Sequence, residues 1–182
     1  MKVILASSSP RRKELLSTLI KEFEIIPAKG EERADGTLSP RLTACALAER
    51  KCDEVFEQNK DALVIACDTI VVYNKLVLGK PKSEEEAAQT LKMLSGKSHK
   101  VITGVCMRYL TRKICRFSET EVRFNDLSDE FIKSYVNGGS PMDKAGSYGI
   151  QDGGVVKDYS GSYTNVVGFP VELCKQMLDD IL

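Results

Sequence analysis

The first residue with chemical weight is Asp68, set inside the run Ala62 to Tyr73, ALVIACDTIVVY. A carboxylate among apolar neighbours is costly to desolvate unless a cation or hydrogen-bond donor meets it. The alternative is a structural Asp that caps a turn, with Thr69 sharing the bond; the apolar strand around it favours a functional carboxylate. The segment SSSPRR at 7–12 comes next. Ser7 and Ser9 can offer hydroxyls, and Arg11 and Arg12 can fork onto phosphate oxygens. A helix beginning there would aim free N–H groups and a positive dipole end at the same point. This is an anion cradle or an ordinary helix cap with two solvated arginines; it is not a Walker loop, because GxxxxGK[ST] is absent.

GKPK at 79–82 holds Lys80 and Lys82 around a proline, which alone reads as a surface turn. Glu31, Glu32 and Lys51 are weaker signals: a Glu pair in a polar loop is usually solvated, and a Lys late in a helix usually sits at the negative dipole end. The small-residue stretch MDKAGSYGIQ at 142–151 can bring backbone close to a flat ligand and present the Gln151 amide, or pack as a tight loop. His99, the only histidine, has no Cys or His at ligand spacing and reads as structural. A Ser-His-Asp hydrolase would have no other base and no GxSxG elbow, so that class is disfavoured.

The elements that would position these residues interleave strands and helices. Lys2 to Ala6 predicts a buried strand, and Ser9-Pro10 a helix start with Leu15, Leu16 and Leu19 on its apolar face. A second strand falls at Phe23 to Ile26. A helix from Ser39-Pro40 to about Gln58 is expected to turn Leu42, Cys45, Ala46, Cys52 and Val55 inward. The run around Asp68 predicts a central strand covered on both faces, broken at Asp68-Thr69. Asn74-Lys75 predicts a hairpin, Ser83 to Glu86 a capping box, and His99 to Phe124 an antiparallel ribbon turning at 111–113. Ser128 caps a further helix, and Pro170 to Leu182 forms the last one. The whole predicts one α/β domain over residues 1–182, a mixed sheet flanked by helices.

Composition narrows the partners. The 182 residues are 42% hydrophobic and 29% charged, and 26 basic side chains balance 26 acidic ones. Zero formal net charge argues against coating nucleic acid or an anionic membrane. No stretch approaches the roughly 18 apolar residues that cross a bilayer, and the start has only Val3 to Ala6 as an apolar run, short of the about 7–15 that a secretory signal needs. The six cysteines form no CxxC and read as reduced, buried thiols of a cytoplasmic protein.

Together these segments resemble the Maf family of nucleotide pyrophosphatases. The matching stretches are LASSSPRRKELL at 5–16, EE at 31–32, ALAERK at 46–51, ACDTIV at 66–71 and LGKP at 78–81. They continue through AAQTLKMLSGKSHKVITGV at 87–105, ETEVRF at 119–124, PMDKAGSYGIQ at 141–151, GSY at 161–163 and VVGFP at 166–170. The ordered set is far more specific than any one stretch. The resemblance implies an elongated α/β fold shared with inosine triphosphate pyrophosphatases, commonly as a homodimer. It implies a house-cleaning hydrolase that cleaves a nucleoside triphosphate between its α- and β-phosphates with Mg²⁺, Mn²⁺ or Co²⁺.

Carried onto this chain, the family's site falls on Ser7, Arg11, Arg12, Glu32, Lys51, Asp68, Lys80 and Gln151, with Ser9, Thr69 and Lys82 beside them. Glu32 and Asp68 would hold the metal and orient or deprotonate water. The cations would neutralise the triphosphate, each worth on the order of 3 kcal/mol in the transition state. Arg12, Thr69 and Gln151 mark the branch acting on dTTP and UTP, extended to CTP and modified pyrimidine nucleotides, because a Gln amide matches the O4 and N3–H edge of uracil or thymine. The alternatives are a purine or 7-methyl-GTP preference and a nucleotide-binding regulator of cell division. The stretch after Gln151, DGGVVKDYSGSY, is shorter than the usual family pattern and lacks its Phe.

Overall fold

The computed structural model describes residues 1–30 and 36–182. Strand β1 (Val3–Leu5) leads through Ala6 to Ser9 into α1 (Pro10–Ser17), followed by β2 (Glu24–Ile25) and α2 (Pro40–Phe56). Then come β3 (Leu63–Tyr73), β4 (Leu76–Leu78), α3 (Glu84–Leu94), β5 (Ser98–Tyr109), β6 (Arg112–Phe124) and α4 (Asp129–Asn137). Three short 3₁₀ turns at Ser140–Asp143, Ala145–Ser147 and Ile150–Asp152 precede β7 (Val156–Ser160), α5 (Tyr163–Val167) and α6 (Val171–Ile181). Among the described residues the strands form a seven-stranded sheet in the order β2-β1-β3-β5-β6-β7, with β4 paired to β3. β1 runs parallel to both β2 and β3, while β3 with β4 and β6 with β7 are antiparallel. The fold is therefore α/β with a mixed sheet and flanking helices.

The chain divides into two compact units. One comprises residues 1–69, 103–118 and 168–182, and the other residues 70–102 and 119–167. In the first unit the period-2 alternation of the strands feeds two cores. Odd-numbered residues Val3, Leu5, Leu63, Ile65, Cys67, Val105 and Met107 pack with Leu16 of α1 and with Cys174, Met177 and Ile181 of α6. Even-numbered Ile4, Ala62, Val64, Ala66 and Cys106 pack with Ala48, Cys52, Val55 and Phe56 of α2. The second unit has its own core of α3, α4 and strand residues, including Leu91, Leu94, Val122, Phe124, Ile132 and Val136.

Several boundaries differ from the sequence expectation. α2 does not turn Leu42 and Ala46 inward: Leu42 is 57% exposed and Ala46 is exposed, while Ala44, Leu47, Ala48, Cys52, Val55 and Phe56 are buried. Its small-residue face packs instead against Gly104 of β5, where a Cβ would lie 2.2 Å from the Ala44 carbonyl oxygen. The β5–β6 turn is Leu110–Thr111 rather than 111–113. The sequence pattern announces neither β7 nor α5. β7 is an edge strand with one half-buried and four exposed residues, so it lacks the apolar alternation that marks a half-buried strand.

Candidate functional site

β3 is not broken at Asp68-Thr69; it runs unbroken for 11 residues, and Asp68 lies within it. What ends near Asp68 is the neighbouring strand. β1 pairs with β3 only over Leu63 to Ile65, and its last bond is Ala6 N–H to the Ile65 carbonyl at 2.8 Å. Carbonyls two residues apart point to the same strand edge, so the Cys67 carbonyl faces the side that β1 has left. Arg12, from the first turn of α1, takes that place: its Nη1 donates to Cys67 O at 2.8 Å.

Alternation also assigns the side chains to faces. Asp68 shares the face of Ala66 and Val64, which α2 covers, and Lys51 of α2 meets it there with Nζ to Oδ1 at 2.5 Å. The two side chains are 13% and 7% exposed, so this pair is nearly dry. Lys51 therefore does not serve the end of its helix, as its late position suggested. The need of a strand-borne carboxylate for a cation decides its place.

Thr69 lies on the opposite face. Its hydroxyl exchanges a hydrogen bond with Thr103 of β5 at 2.9 Å and accepts one from Arg12 Nη2 at 3.1 Å. Arg12 also donates through Nε to Gly168 O at 2.9 Å and through Nη1 to Ser7 Oγ at 3.4 Å. The expected N-cap is present: Ser9 Oγ accepts the Arg12 N–H at 3.4 Å with Pro10 at the first position of α1. Ser9 N–H donates to Ser7 Oγ at 3.3 Å.

The first unit thus brings together Ser7, Ser9, Arg12, Lys51, Asp68 and Thr69, with Arg11 half-buried in the same helical turn. Burial pushes Cys67 up, but the Cys174 hydrogen bond and the charges of Arg12 and Lys51 outweigh it and hold it below its usual value. Thr103 and Gly168 also belong to this cluster, and the sequence marks them only weakly. A hydroxyl inside the apolar run VITGV was the available signal for Thr103; Gly168 acts through its carbonyl, which no side chain announces.

Lys80, Lys82 and Gln151 belong to the second unit, and all three are exposed. Lys82 has its backbone N–H held by Glu86 Oε2 at 2.9 Å, in front of α3. Glu86 thus reaches past Ser83, the cap itself, whose hydroxyl accepts Glu86 N–H at 3.2 Å. Gln151 sits in the 3₁₀ turn Ile150–Asp152. Glu31 and Glu32 lie outside the described residues.

Among the described residues no group of three His, Cys, Asp or Glu side chains could hold a metal ion. Asp68 still suits a hard cation as one anionic oxygen ligand, since Mg²⁺ is commonly bound by one or two carboxylates plus substrate phosphates.

Comparison with known proteins decides the family. The Maf-like protein family matches residues 2–181. The chain belongs to the Maf family. Among relatives, it is 47% identical over 174 residues to a dTTP/UTP pyrophosphatase of Thermococcus kodakarensis, covering 94% of this chain and 92% of that one. A dTTP/UTP pyrophosphatase of Aquifex aeolicus is 44% identical, covering 100% and 96%. One of Bacillus cereus is 45% identical, covering 93% and 90%. The fold of this Maf chain is also that of the Staphylococcus aureus Ham1 protein, with a TM-score of 0.57 at 13% identity over 99% of each chain. A HAM1 protein from Coxiella burnetii gives 0.58, also at 13% identity. Among the described residues no helix is long and apolar enough to cross a membrane.

Proposed function

We propose that this Maf chain is a nucleoside triphosphate pyrophosphatase acting on dTTP and UTP, and by the same chemistry on CTP and modified pyrimidine nucleotides. The observation that carries this is the nearly dry Lys51–Asp68 pair, 2.5 Å apart, in a chain whose relatives bear the name dTTP/UTP pyrophosphatase. A carboxylate held by a retractable cation suits hydrolysis of a polyanion. Lys51 can transfer its charge to an incoming phosphate oxygen, which leaves Asp68 to take the proton of an attacking water.

Water then adds to the α-phosphorus and the bond to the bridging oxygen breaks. Pyrophosphate leaves, and the monophosphate keeps the new P–O bond. Arg11 and Arg12, at the positive end of α1, offset the charge that develops on the leaving group. Arg12 carries most of its hydrogen bonds to protein acceptors, so its second task is to hold the Cys67 and Thr69 segment of β3 in place.

A divalent cation, Mg²⁺, Mn²⁺ or Co²⁺, bound by Asp68 and Glu32 with substrate oxygens, would supply further charge neutralisation. Lys80 and Lys82 are assigned to the phosphates, and Gln151 to the O4 and N3–H edge of the pyrimidine. A cytoplasmic homodimer that binds neither nucleic acid polymer nor membrane completes this reading.

The test is pyrophosphate release from a panel of nucleoside triphosphates, with each metal and with chelator, beside Asp68→Asn. Turnover of dTTP and UTP at least tenfold above ATP and GTP, falling about 10²–10³-fold in the variant, is the expected outcome. No pyrophosphate from any triphosphate would refute the enzyme assignment, and full activity in chelator would refute the metal.

A further inference from the structure

Gln151 occupies the middle of a single 3₁₀ turn, Ile150–Asp152, none of whose residues is buried. Apolar packing therefore does little to hold that turn, yet its last residue and the glycine before it are both tied to one phenol. Tyr135 of α4 donates its hydroxyl hydrogen to Asp152 Oδ2. The same hydroxyl oxygen accepts the Gly149 N–H at 3.1 Å. Ser140 Oγ donates to Asp152 Oδ2 as well, at 2.6 Å. Lys144 fixes Ser140 in turn, with Nζ donating to Ser140 O at 2.5 Å and to Ser140 Oγ at 3.1 Å. Within the turn, Asp152 N–H donates to Gly149 O at 3.1 Å.

Gly149 makes this closure possible, because a Cβ there would lie 2.8 Å from Asp152 Oδ2. Burial first, and then the bond to Asp152, push the Tyr135 hydroxyl up to about 12, so it stays a donor at neutral pH. All of these residues lie in the second unit.

We propose that Asp152, through Tyr135 and Ser140, positions Gln151 and thereby sets the preference of the enzyme among nucleotide bases. The proposal rests on the reading of Gln151 as the residue that meets the pyrimidine edge. Asp152 is a positioning residue: it holds the turn and does not meet the base. An exposed turn without this clamp samples several backbone states, and fixing them on binding weakens affinity. A loosened amide also discriminates less, because it can rotate to match donors and acceptors on other bases.

Steady-state kinetics of the full-length Asp152→Ala, Asp152→Asn, Tyr135→Phe and Gln151→Ala variants on UTP and GTP test this, with thermal unfolding followed for each. Asp152→Ala and Tyr135→Phe should raise KM for UTP about tenfold with kcat held within about twofold, and lower the UTP-to-GTP ratio of kcat/KM about fivefold. Asp152→Asn keeps an acceptor oxygen for both hydroxyls and should return to within about twofold of the parent enzyme. Should Asp152→Ala fail to fold, Tyr135→Phe, which removes one oxygen atom, carries the test alone. An unchanged ratio in Asp152→Ala or Tyr135→Phe, alongside a lowered one in Gln151→Ala, overturns the positioning role. An unchanged ratio in Gln151→Ala overturns the base-reading role of Gln151 itself, and the positioning role with it.

Discussion

Asp68 and Lys51 are not symmetrical partners, although they share one short bond. Asp68 is fixed by an 11-residue strand and cannot leave its site, whereas Lys51 has a four-carbon stem by which its ammonium can move toward solvent or substrate. Removing the cation strands a buried carboxylate; removing the carboxylate leaves a lysine whose flexible stem can adjust. Lys51→Met should therefore lower unfolding free energy by about 3 kcal/mol. Asp68→Asn should lower it by no more than about 1 kcal/mol, while both variants lose pyrophosphate release. Urea unfolding of the two variants checks the order, and an equal loss of stability would refute the asymmetry. The chemical weight of Asp68 was legible because a carboxylate in ALVIACDTIVVY demands a partner. That the partner is Lys51, from 17 residues earlier, was not, since only the packing of α2 on the even-numbered face of β3 brings them together.

At the scale of elements, the position of Lys51 depends on how closely α2 lies on the sheet. That approach is set at Gly104, where a Cβ would lie 2.2 Å from Ala44 O, 2.4 Å from Ala44 C and 2.6 Å from Cys45 N. All three are helix backbone, which cannot swing aside as a side chain would. Gly104→Ala should thus displace α2 and cost about 3 kcal/mol or more. Activity should fall as well, because Lys51 rides about two turns further along the same helix. Denaturant midpoints and pyrophosphate release on one preparation would show both effects, and a stable, active variant would contradict this account of the packing. The caps and turns had local chemistry that could be read directly. Ser9-Pro10, Ser83 and Ser128 cap their helices, and Asn74 and Lys75 make the hairpin with φ of 48° and 68°. The facing of α2 could not be read this way, because Leu42 and Ala44 are both apolar and only the contact with Gly104 chooses between them.

For the molecule as a whole, His99 couples global stability to pH. It is 3% exposed, bonds Tyr148 Oη through Nε2 at 2.8 Å, and meets the rings of Phe124 and Tyr148 edge-on. Its Nδ1 is buried without a hydrogen-bond partner among the described residues. Burial holds its ring down to about 4, against 6.5 when exposed. The unfolded chain therefore binds the proton first, so this contribution is full above pH 6.5 and is lost as pH falls toward 4. The loss at pH 5 should be about 2 kcal/mol. Urea midpoints at pH 7.5 and pH 5 would measure it, and in His99→Gln this part of the pH dependence should vanish. The sequence by itself determined the α/β class, the family, the helix caps and the identity of most candidate site residues, because these rest on local periodicity, on turn chemistry and on motifs that keep their order along the chain. Only the tertiary structure decided that Lys51 neutralises Asp68, that Arg12 stands in for the missing edge of β1, and that Asp152 closes on Tyr135. Each of these joins residues distant in sequence through a face or strand edge whose orientation local pattern leaves open, and the need to partner every buried charge and carbonyl then selects among them.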